Sequence, residues 1–526
     1  MYDVIIIGGG VVGCAVARFL SRFQAKTMLL EKTNDICNGQ SKANTAIIHG
    51  GYDCKPHTLK AKFNVEGNAM FQQMHDELDF PIKWNTSLIV SFNLEDHPAL
   101  EKLLQQGREN GCRGGLRIID EAELRRREPN VGKDAKEALL VGSGGICCPY
   151  EMTVAFAENA AMNGVEFRRN AEVTNLTKLP NGNWQVESSV GTFETRAVVN
   201  AAGIYSDVFN NMVSEDKVHI HPRRGEYYIV DKKYADMFHA AMFQLPTKMG
   251  KGILISPTVD GTLLVGPTAE DIEDKDDKRC TAEGLAKTIH FGSMTWNNIP
   301  MRGFITTFAG NRATGDKGDF VLGEPADAEN FFNCCAVESP GLTSSPAIGK
   351  WLSEQIAGKL GLKENKAFNP IRKGIPKFRE MTDAERVKAI AANPDYAKIV
   401  CRCETITEAE IREASGVEDG DDLHWKELKG DRIVTARGDD WVQVQAEPGG
   451  DYFYGTLTKG REMLRWTGID GKGATMEGNT DAFRLERRVP DLDYLTECDN
   501  RLWGCAQNEN VIYACKLGDP TNWFSY

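Results

Sequence analysis

The chain of 526 residues has no stretch approaching the roughly 18 apolar residues of a membrane-spanning helix. It has no excess of positive charge: 62 Lys and Arg against 75 Asp and Glu leave a net charge of −13, which argues against a nucleic-acid partner. It shows no convincing basic amphipathic helix, so peripheral membrane contact stays open without positive support. No room for a signal peptide precedes the first core strand, which begins within three residues of Met1. The 14 cysteines form no closely spaced framework; Cys14, Cys37, Cys54 and Cys112 are scattered, and they read as thiols of a reducing compartment, the cytoplasm. What is present is ordinary for a globular protein with ample core, at 41 % hydrophobic and 26 % charged residues, and the length suggests two to four domains.

The most informative stretch is Asp3 to Ala17. A run of β-branched and apolar residues reads as a buried parallel strand. Gly8-x-Gly10-x-x-Gly13 follows at once, and then a helical pattern through Leu20. Gly8 permits a tight turn, Gly10 lets backbone approach a pyrophosphate, and Gly13 lets helix and strand pack closely. The free N–H groups at the helix start face phosphate. A second strand, Thr27 to Leu30, ends in Glu31, 18 residues after Gly13, where an acid accepts hydrogen bonds from a ribose diol. Glycines alone are weak evidence. Strand, glycines, helix, strand and acid in this order are strong evidence for a bound dinucleotide.

After a polar loop, Ser41 to Tyr52 mixes small residues with one histidine, His49, and small residues let a flat ring lie close to backbone. Leu59 to Leu78 has helical periodicity. Ser87 to Phe92 reads as a strand, and Glu95 to Gly111 and Asp120 to Arg127 read as helices of an inserted domain. Glu151 to Asn163 is a predicted helix. Trp184 to Glu187 and Thr192 to Thr195 read as a hairpin. Ala197 to Asp207 is a buried strand ending in small residues and Gly203, a second edge for the same dinucleotide. Val218 to Val230, Gly252 to Pro257 and Gly261 to Gly266 alternate like antiparallel strands of a substrate domain. Late in the chain Phe308 to Ala313, Phe320 to Glu324 and Val337 to Gly349 return to the cofactor, ending in a glycine turn and a helix through Lys359. A nicotinamide does not need that return. A flavin does, because its ring extends far from the pyrophosphate and a second helix N-terminus suits its electron-rich end. FAD is therefore the expected cofactor.

These stretches resemble the FAD-dependent oxidoreductases of the D-amino-acid oxidase superfamily. The nearer likeness is to the type 2 glycerol-3-phosphate dehydrogenase-like branch, akin to L-2-hydroxyglutarate oxidase. The likeness is carried by Tyr2 to Gly13, Ser41 to Leu59, Arg223 to Tyr227, Leu264 to Thr268, Phe308 to Arg312 and Glu338 to Leu342, and it covers about residues 1 to 415. It implies an α/β fold: a GR2-type Rossmann domain for FAD (1–80, 145–215, 305–365) with an inserted antiparallel-sheet substrate domain (81–144, 216–304). A linker (366–400) follows. Gly8, Gly10, Gly13 and Glu31 match its ADP-binding positions, and Ser41, Asn44 and Thr45 the segment beside the flavin. Gly203 matches a second dinucleotide contact, and Gly341 and Leu342 the turn beneath the flavin pyrimidine. His49 matches the histidine beside the ring, and Arg312 the arginine that anchors an anionic substrate.

Such an enzyme must hold the substrate anion, aim its C–H at flavin N5 and remove the hydroxyl proton. Arg312 suits a bidentate grip on phosphate or carboxylate; the competing reading is a surface salt bridge. His49 titrates in the right range to take the proton; the competing reading is a histidine that only packs beside the ring. Lys55, Arg223 and Arg224 are further anion candidates that read more readily as structural or solvated, and Glu226 as an arginine's partner. The resemblance implies oxidation of glycerol 3-phosphate to dihydroxyacetone phosphate. The alternatives are L-2-hydroxyglutarate, then an amino acid or amine. Ser41 to Asn44 lacks the arginines usual in phosphate-oxidising relatives, nearer the hydroxy-acid type. Electrons would leave to oxygen, a quinone or an acceptor subunit. Covalent flavin attachment at His49 or Cys54 has no positive support.

Cys401-Arg402-Cys403 resembles the start of an appended [2Fe–2S] domain, a truncated segment spanning 401–415 with Thr407 as a helix cap. Such a cluster needs four thiolates. The second pair is missing near Val434 to Gly438, so no metal is expected. From 416 to 526 the composition shifts to a short β-rich tail holding five of nine tryptophans. This tail resembles a blade of a phage virion β-propeller, as if an oxidoreductase were fused to a virion fragment and the tail loosely docked. A third, non-enzymatic reading follows from it: a virion-associated protein with a relic oxidoreductase.

Overall fold

β1 (Tyr2–Ile7), α1 (Val11–Leu20) and β2 (Thr27–Leu30) form where the sequence places them. The computed structural model describes residues 1–245, 252–401 and 405–413 in full, and beyond them the backbone of the helix end and of the strands between Lys426 and Ser525. Ile5 and Ile6 are fully buried because β1 lies between two parallel neighbours with helices on a face; burying each such side chain is worth about 1.5–3 kcal/mol. The chain divides into Met1–Gly374 and Ile375–Tyr526.

In the first unit an eight-stranded sheet, counted among the described residues, has six strands in the order Val173–Lys178, Trp184–Ser188, β3 (Gly191–Asn200), β1, β2, Glu166–Arg168, and its other two branch from β3. The sequence suggests a hairpin strand ending near Thr195 and a separate buried strand from Ala197. These are one strand. β3 pairs antiparallel with Trp184–Ser188 and parallel with β1, at different stretches of its length. Over this sheet pack α1, the Pro149–Met162 helix, α2 (Leu59–Leu78) and a later helix, α3 (Gly341–Leu360), which share one apolar core.

A second sheet, nine-stranded among the described residues, roofs the first unit's cavity. Its longest ladder joins β4 (Ile220–Val230) to β5 (Phe304–Gly315), antiparallel over their whole length. The expected strands near 252–257 and 261–266 pair antiparallel at Leu254–Pro257 and Leu263–Gly266. The segment 305–365, grouped above with the nucleotide-binding part, divides: β5 belongs to the antiparallel sheet, whereas β6 (Phe331–Cys335) joins the other sheet beside β3, with Val321–Gly323 paired to it. The reason is β4, whose alternating face needs a partner of equal length. The Glu95–Gly111 helix begins as a 3-10 turn, Leu94–Asp96, before His97–Asn110, because Pro98 sits in the first turn.

In the second unit Asp383–Ala392 is a helix with a capping box from Thr382 and Glu385. Thr407 caps the helix Glu408–Ser415: its Oγ1 accepts the Glu410 N–H at 3.4 Å and donates to that residue's carboxylate at 2.7 Å. Cys401 ends a short strand, and Cys403 lies outside the described residues. Strands from Lys426 to Arg488 make one antiparallel meander, and those from Tyr494 to Ser525 another. The propeller likeness and the packing of 416–526 lie outside the described residues. Among the described residues no helix is long and apolar enough to cross a membrane.

Candidate active site

A cavity of about 1710 Å³ opens in the first unit; the sequence-predicted catalytic and cofactor residues except Gly13 line it, as do Lys55 and Arg223, whereas Arg224 and Glu226 do not. At one end is the glycine turn. Gly8 has φ +104°, and an added Cβ would lie 2.4 Å from the Ala201 carbonyl oxygen. Gly13 sits under the turn, its Cβ position 2.0 Å from the Gly8 oxygen. A side chain at either position would fill the cradle or push it open. Gly10 begins α1 with no side-chain cap. Instead Ser41 Oγ accepts the Val11 N–H at 2.9 Å, leaving its own O–H to donate. The Glu31 carboxylate accepts the Gly9 N–H at 2.7 Å and the Thr33 N–H and hydroxyl at 2.9 and 2.8 Å. It therefore braces the turn, and a fourth lone-pair site is left for a ribose. Gly203 opens a short 3-10 turn at φ +57°, and an added Cβ there would meet nothing.

The middle of the cavity is built by the Ser41–His49 segment. Asn44 is a turn former here: its amide donates to the Ser41 carbonyl at 2.8 Å and its oxygen accepts the Ala46 N–H at 2.7 Å. Thr45 Oγ1 is 3.2 Å from the Tyr227 hydroxyl. The backbone of His49 is clamped from three sides. Its N–H donates to Thr343 Oγ1 at 2.9 Å, and its carbonyl accepts from Asn64 and Asn68 at 2.9 and 3.1 Å. The ring lies 5.9 Å from that of Phe243. Gly341 and Leu342 bring the N-terminus of α3 to the same wall, and no side chain of its N-cap residue caps it.

The four candidate cations separate by environment. Arg224 is 5 % exposed among Glu226, Glu270 and Asp277, at 3.2, 3.4 and 3.1 Å. Glu226 is fully buried and also accepts from Thr281, so it is a structural partner. Arg223 is paired in two bonds with Asp271, at 2.6 and 3.1 Å; that hydrogen bonding holds the Asp271 carboxyl below its ordinary range. Lys55 is exposed at the rim. Among the described residues Arg312 has no carboxylate partner, and it hydrogen-bonds to the Thr268 carbonyl at 3.4 and 3.5 Å. Cys148 also lines the cavity, and burial pushes its thiol up to about 11, so it is protonated at neutral pH.

Reading the sequence alone missed Thr343, Asn64, Asn68 and Tyr227. Asn64 and Asn68 carried a signal, two amides one helical turn apart on the buried face of α2. Thr343 carried none beyond its place after Gly341.

A glycine cradle at the start of α1, a second helix start at the His49 wall and an arginine with no carboxylate partner among the described residues, all on one cavity, define a dinucleotide-dependent oxidoreductase. The chain belongs to the DAO family, described as FAD dependent oxidoreductase, which matches residues 3–355. FAD is its cofactor, and the residues around the cavity fit it. The chain is similar to a glycerol 3-phosphate dehydrogenase from Caloramator mitchellensis, 44 % identical over 414 residues, 78 % of this chain and 85 % of that one. It is 29 % identical over 279 residues to the mitochondrial L-2-hydroxyglutarate dehydrogenase of Caenorhabditis elegans, covering 51 % of this chain and 63 % of that one. Among solved structures it is similar to the dithionite-reduced L-α-glycerophosphate oxidase of Mycoplasma pneumoniae with FAD bound, at TM-score 0.67 and 30 % identity, covering 71 % of this chain and 98 % of that one.

Proposed function

We propose that this enzyme oxidises glycerol 3-phosphate to dihydroxyacetone phosphate. The observation that carries the proposal is Arg312, a cavity-lining guanidinium with no carboxylate partner among the described residues. The 44 % identical relative named for the same substrate supports it. Bound FAD supplies a two-electron acceptor for the hydride from the substrate carbon. Arg312 holds the phosphate in a bidentate grip, and the Thr268 carbonyl orients the guanidinium from behind. His49, its backbone fixed by Thr343, Asn64 and Asn68, takes the hydroxyl proton as the carbon–oxygen double bond forms. Gly8, Gly10 and the amides of α1 would hold the pyrophosphate, Ser41 would donate to it, and the α3 N-terminus would favour negative charge on the flavin ring.

We assign the protein to the cytoplasm, with reoxidation by oxygen, a quinone or an acceptor subunit. Anaerobic titration of the purified holoenzyme, followed at the flavin absorbance, tests the substrate. Stoichiometric bleaching by glycerol 3-phosphate, with none by L-2-hydroxyglutarate, is expected. Bleaching by the hydroxy acid alone would reassign the substrate.

A further inference from the structure

β4 and β5 present one face to the cavity, and their register decides what that face carries. Arg223 lies directly opposite Arg312, Gly225 opposite Gly310, and Tyr227 opposite Phe308. Tyr227 and Phe308 stack with ring centroids 4.5 Å apart and planes 5° from parallel, as side chains on one face do. The two glycines admit close packing between the aromatic pair and the arginine pair: a Cβ on Gly310 would stand 2.0 Å from the Ala43 carbonyl oxygen, and one on Gly225 would stand 2.8 Å from Pro267 and 3.0 Å from the Arg312 guanidinium, which reaches over it.

Two like charges facing each other across a ladder, with Cβ atoms about 5 Å apart, are destabilising unless something neutralises both. Asp271 neutralises one. It binds Arg223 through two hydrogen bonds, with His221 Nε2 3.6 Å from the same Oδ1 that Arg223 Nε donates to, and leaves Arg312 to a carbonyl. The Arg223–Asp271 pair is substantially solvated, its side chains 36 % and 57 % exposed. A pair that open is held weakly and exchanges readily. Both arginines and Asp271 line the cavity.

We infer that Arg223 is the specificity-determining residue that recognises the second negative charge of a phosphate, and that Asp271 competes with the substrate for it. Arg312 alone satisfies a carboxylate. A phosphate carries up to two charges and three terminal oxygens, and it takes both guanidinium groups of the facing pair, one from each strand. Discrimination between phosphate and a simple carboxylate is then set by Arg223. This deepens the glycerol 3-phosphate reading and rests on it for the substrate.

The test uses the FAD-loaded enzyme with inorganic phosphate and acetate as probes, each titrated against the flavin absorbance, alongside KM and kcat for glycerol 3-phosphate. Arg223→Met keeps the apolar stem and removes the charge. It should weaken phosphate binding and raise KM at least tenfold, with acetate binding and kcat changed less than threefold. Asp271→Asn keeps Arg223 and removes its competitor, and should tighten phosphate binding about threefold or more. Equal losses for phosphate and acetate in Arg223→Met, or no loss, would overturn the inference, as would unchanged or weaker phosphate binding in Asp271→Asn. A wild-type enzyme that binds phosphate through Arg223 yet leaves glycerol 3-phosphate unoxidised would sink the substrate reading alone.

Discussion

Thr343 Oγ1 accepts the backbone N–H of His49 at 2.9 Å and donates to the Ile47 carbonyl at 3.2 Å. One buried hydroxyl thus joins the first turn of α3 to the segment that carries the candidate base. Any shift of α3 moves His49 with it. Thr343→Val keeps the shape and leaves a buried amide and carbonyl without this partner, which costs about 1–3 kcal/mol. Thermal unfolding should show a lower Tm. Flavin content should hold, and anaerobic stopped-flow reduction by glycerol 3-phosphate should slow on the order of ten- to a hundredfold, since misplacement of about 1 Å carries that scale of penalty. An unchanged reduction rate would mean that His49 needs no such anchor.

Arg312 is the proposed binding group whose removal is most revealing. A charge-assisted hydrogen bond contributes about 1.5–3 kcal/mol, so Arg312→Met should raise KM for glycerol 3-phosphate roughly 10- to 150-fold. Arg312→Lys should recover only part, because an ammonium lacks the planar fork. FAD binding should be untouched in both. A KM near wild type in Arg312→Met would remove this residue from the site.

The cradle offers a test independent of substrate. In Gly13→Ala the new Cβ would stand 2.0 Å from the Gly8 carbonyl oxygen, which is backbone and cannot swing away. Overpacking of this kind costs about 1–3 kcal/mol or more, and it falls on the turn we assign to the pyrophosphate. The variant should purify with a lower flavin-to-protein ratio and bind added FAD more weakly, measured by quenching of flavin fluorescence. Full retention of FAD would show that the turn relaxes elsewhere.

Acid should loosen the 270–281 segment before the rest of the first unit. Glu270, Asp271 and Asp277 are held below their ordinary values, chiefly by hydrogen bonds from Lys287, Arg223 and Arg279 respectively. Depressed carboxyls contribute stability that is present above the unfolded values, 3.8 to 4.5, and lost as pH falls through the folded ones. Scanning calorimetry should show a Tm insensitive to these groups from pH 8 to about 5 and a decline below about 4. The Glu270→Gln, Asp277→Asn double variant should start lower and decline less steeply. Parallel declines would place the acid-sensitive groups elsewhere.

Much of the fold was legible because its signals are local. Strand, glycine turn, helix, strand and acid follow one another within 31 residues, and the α2 boundaries, Leu59 and Leu78, could be read from periodicity alone. The hidden parts depend on distant pairing. β3 looked like two strands because its two ends serve different neighbours. The segment from 305 looked like part of the nucleotide domain because nothing near it in sequence names β4 as its partner.

The sequence by itself determined that this chain binds a dinucleotide and which residues shape its cradle, because backbone conformation at glycines and chirality of the strand–helix–strand unit are short-range properties. Only the tertiary structure decided among the arginines. Arg223, Arg224 and Arg312 are equal as letters. Their worth depends on which carboxylates the β4–β5 register brings within reach: three around Arg224, one beside Arg223 and, among the described residues, none beside Arg312. Electrostatic neutralisation is a property of distance in space, and distance in sequence does not encode it.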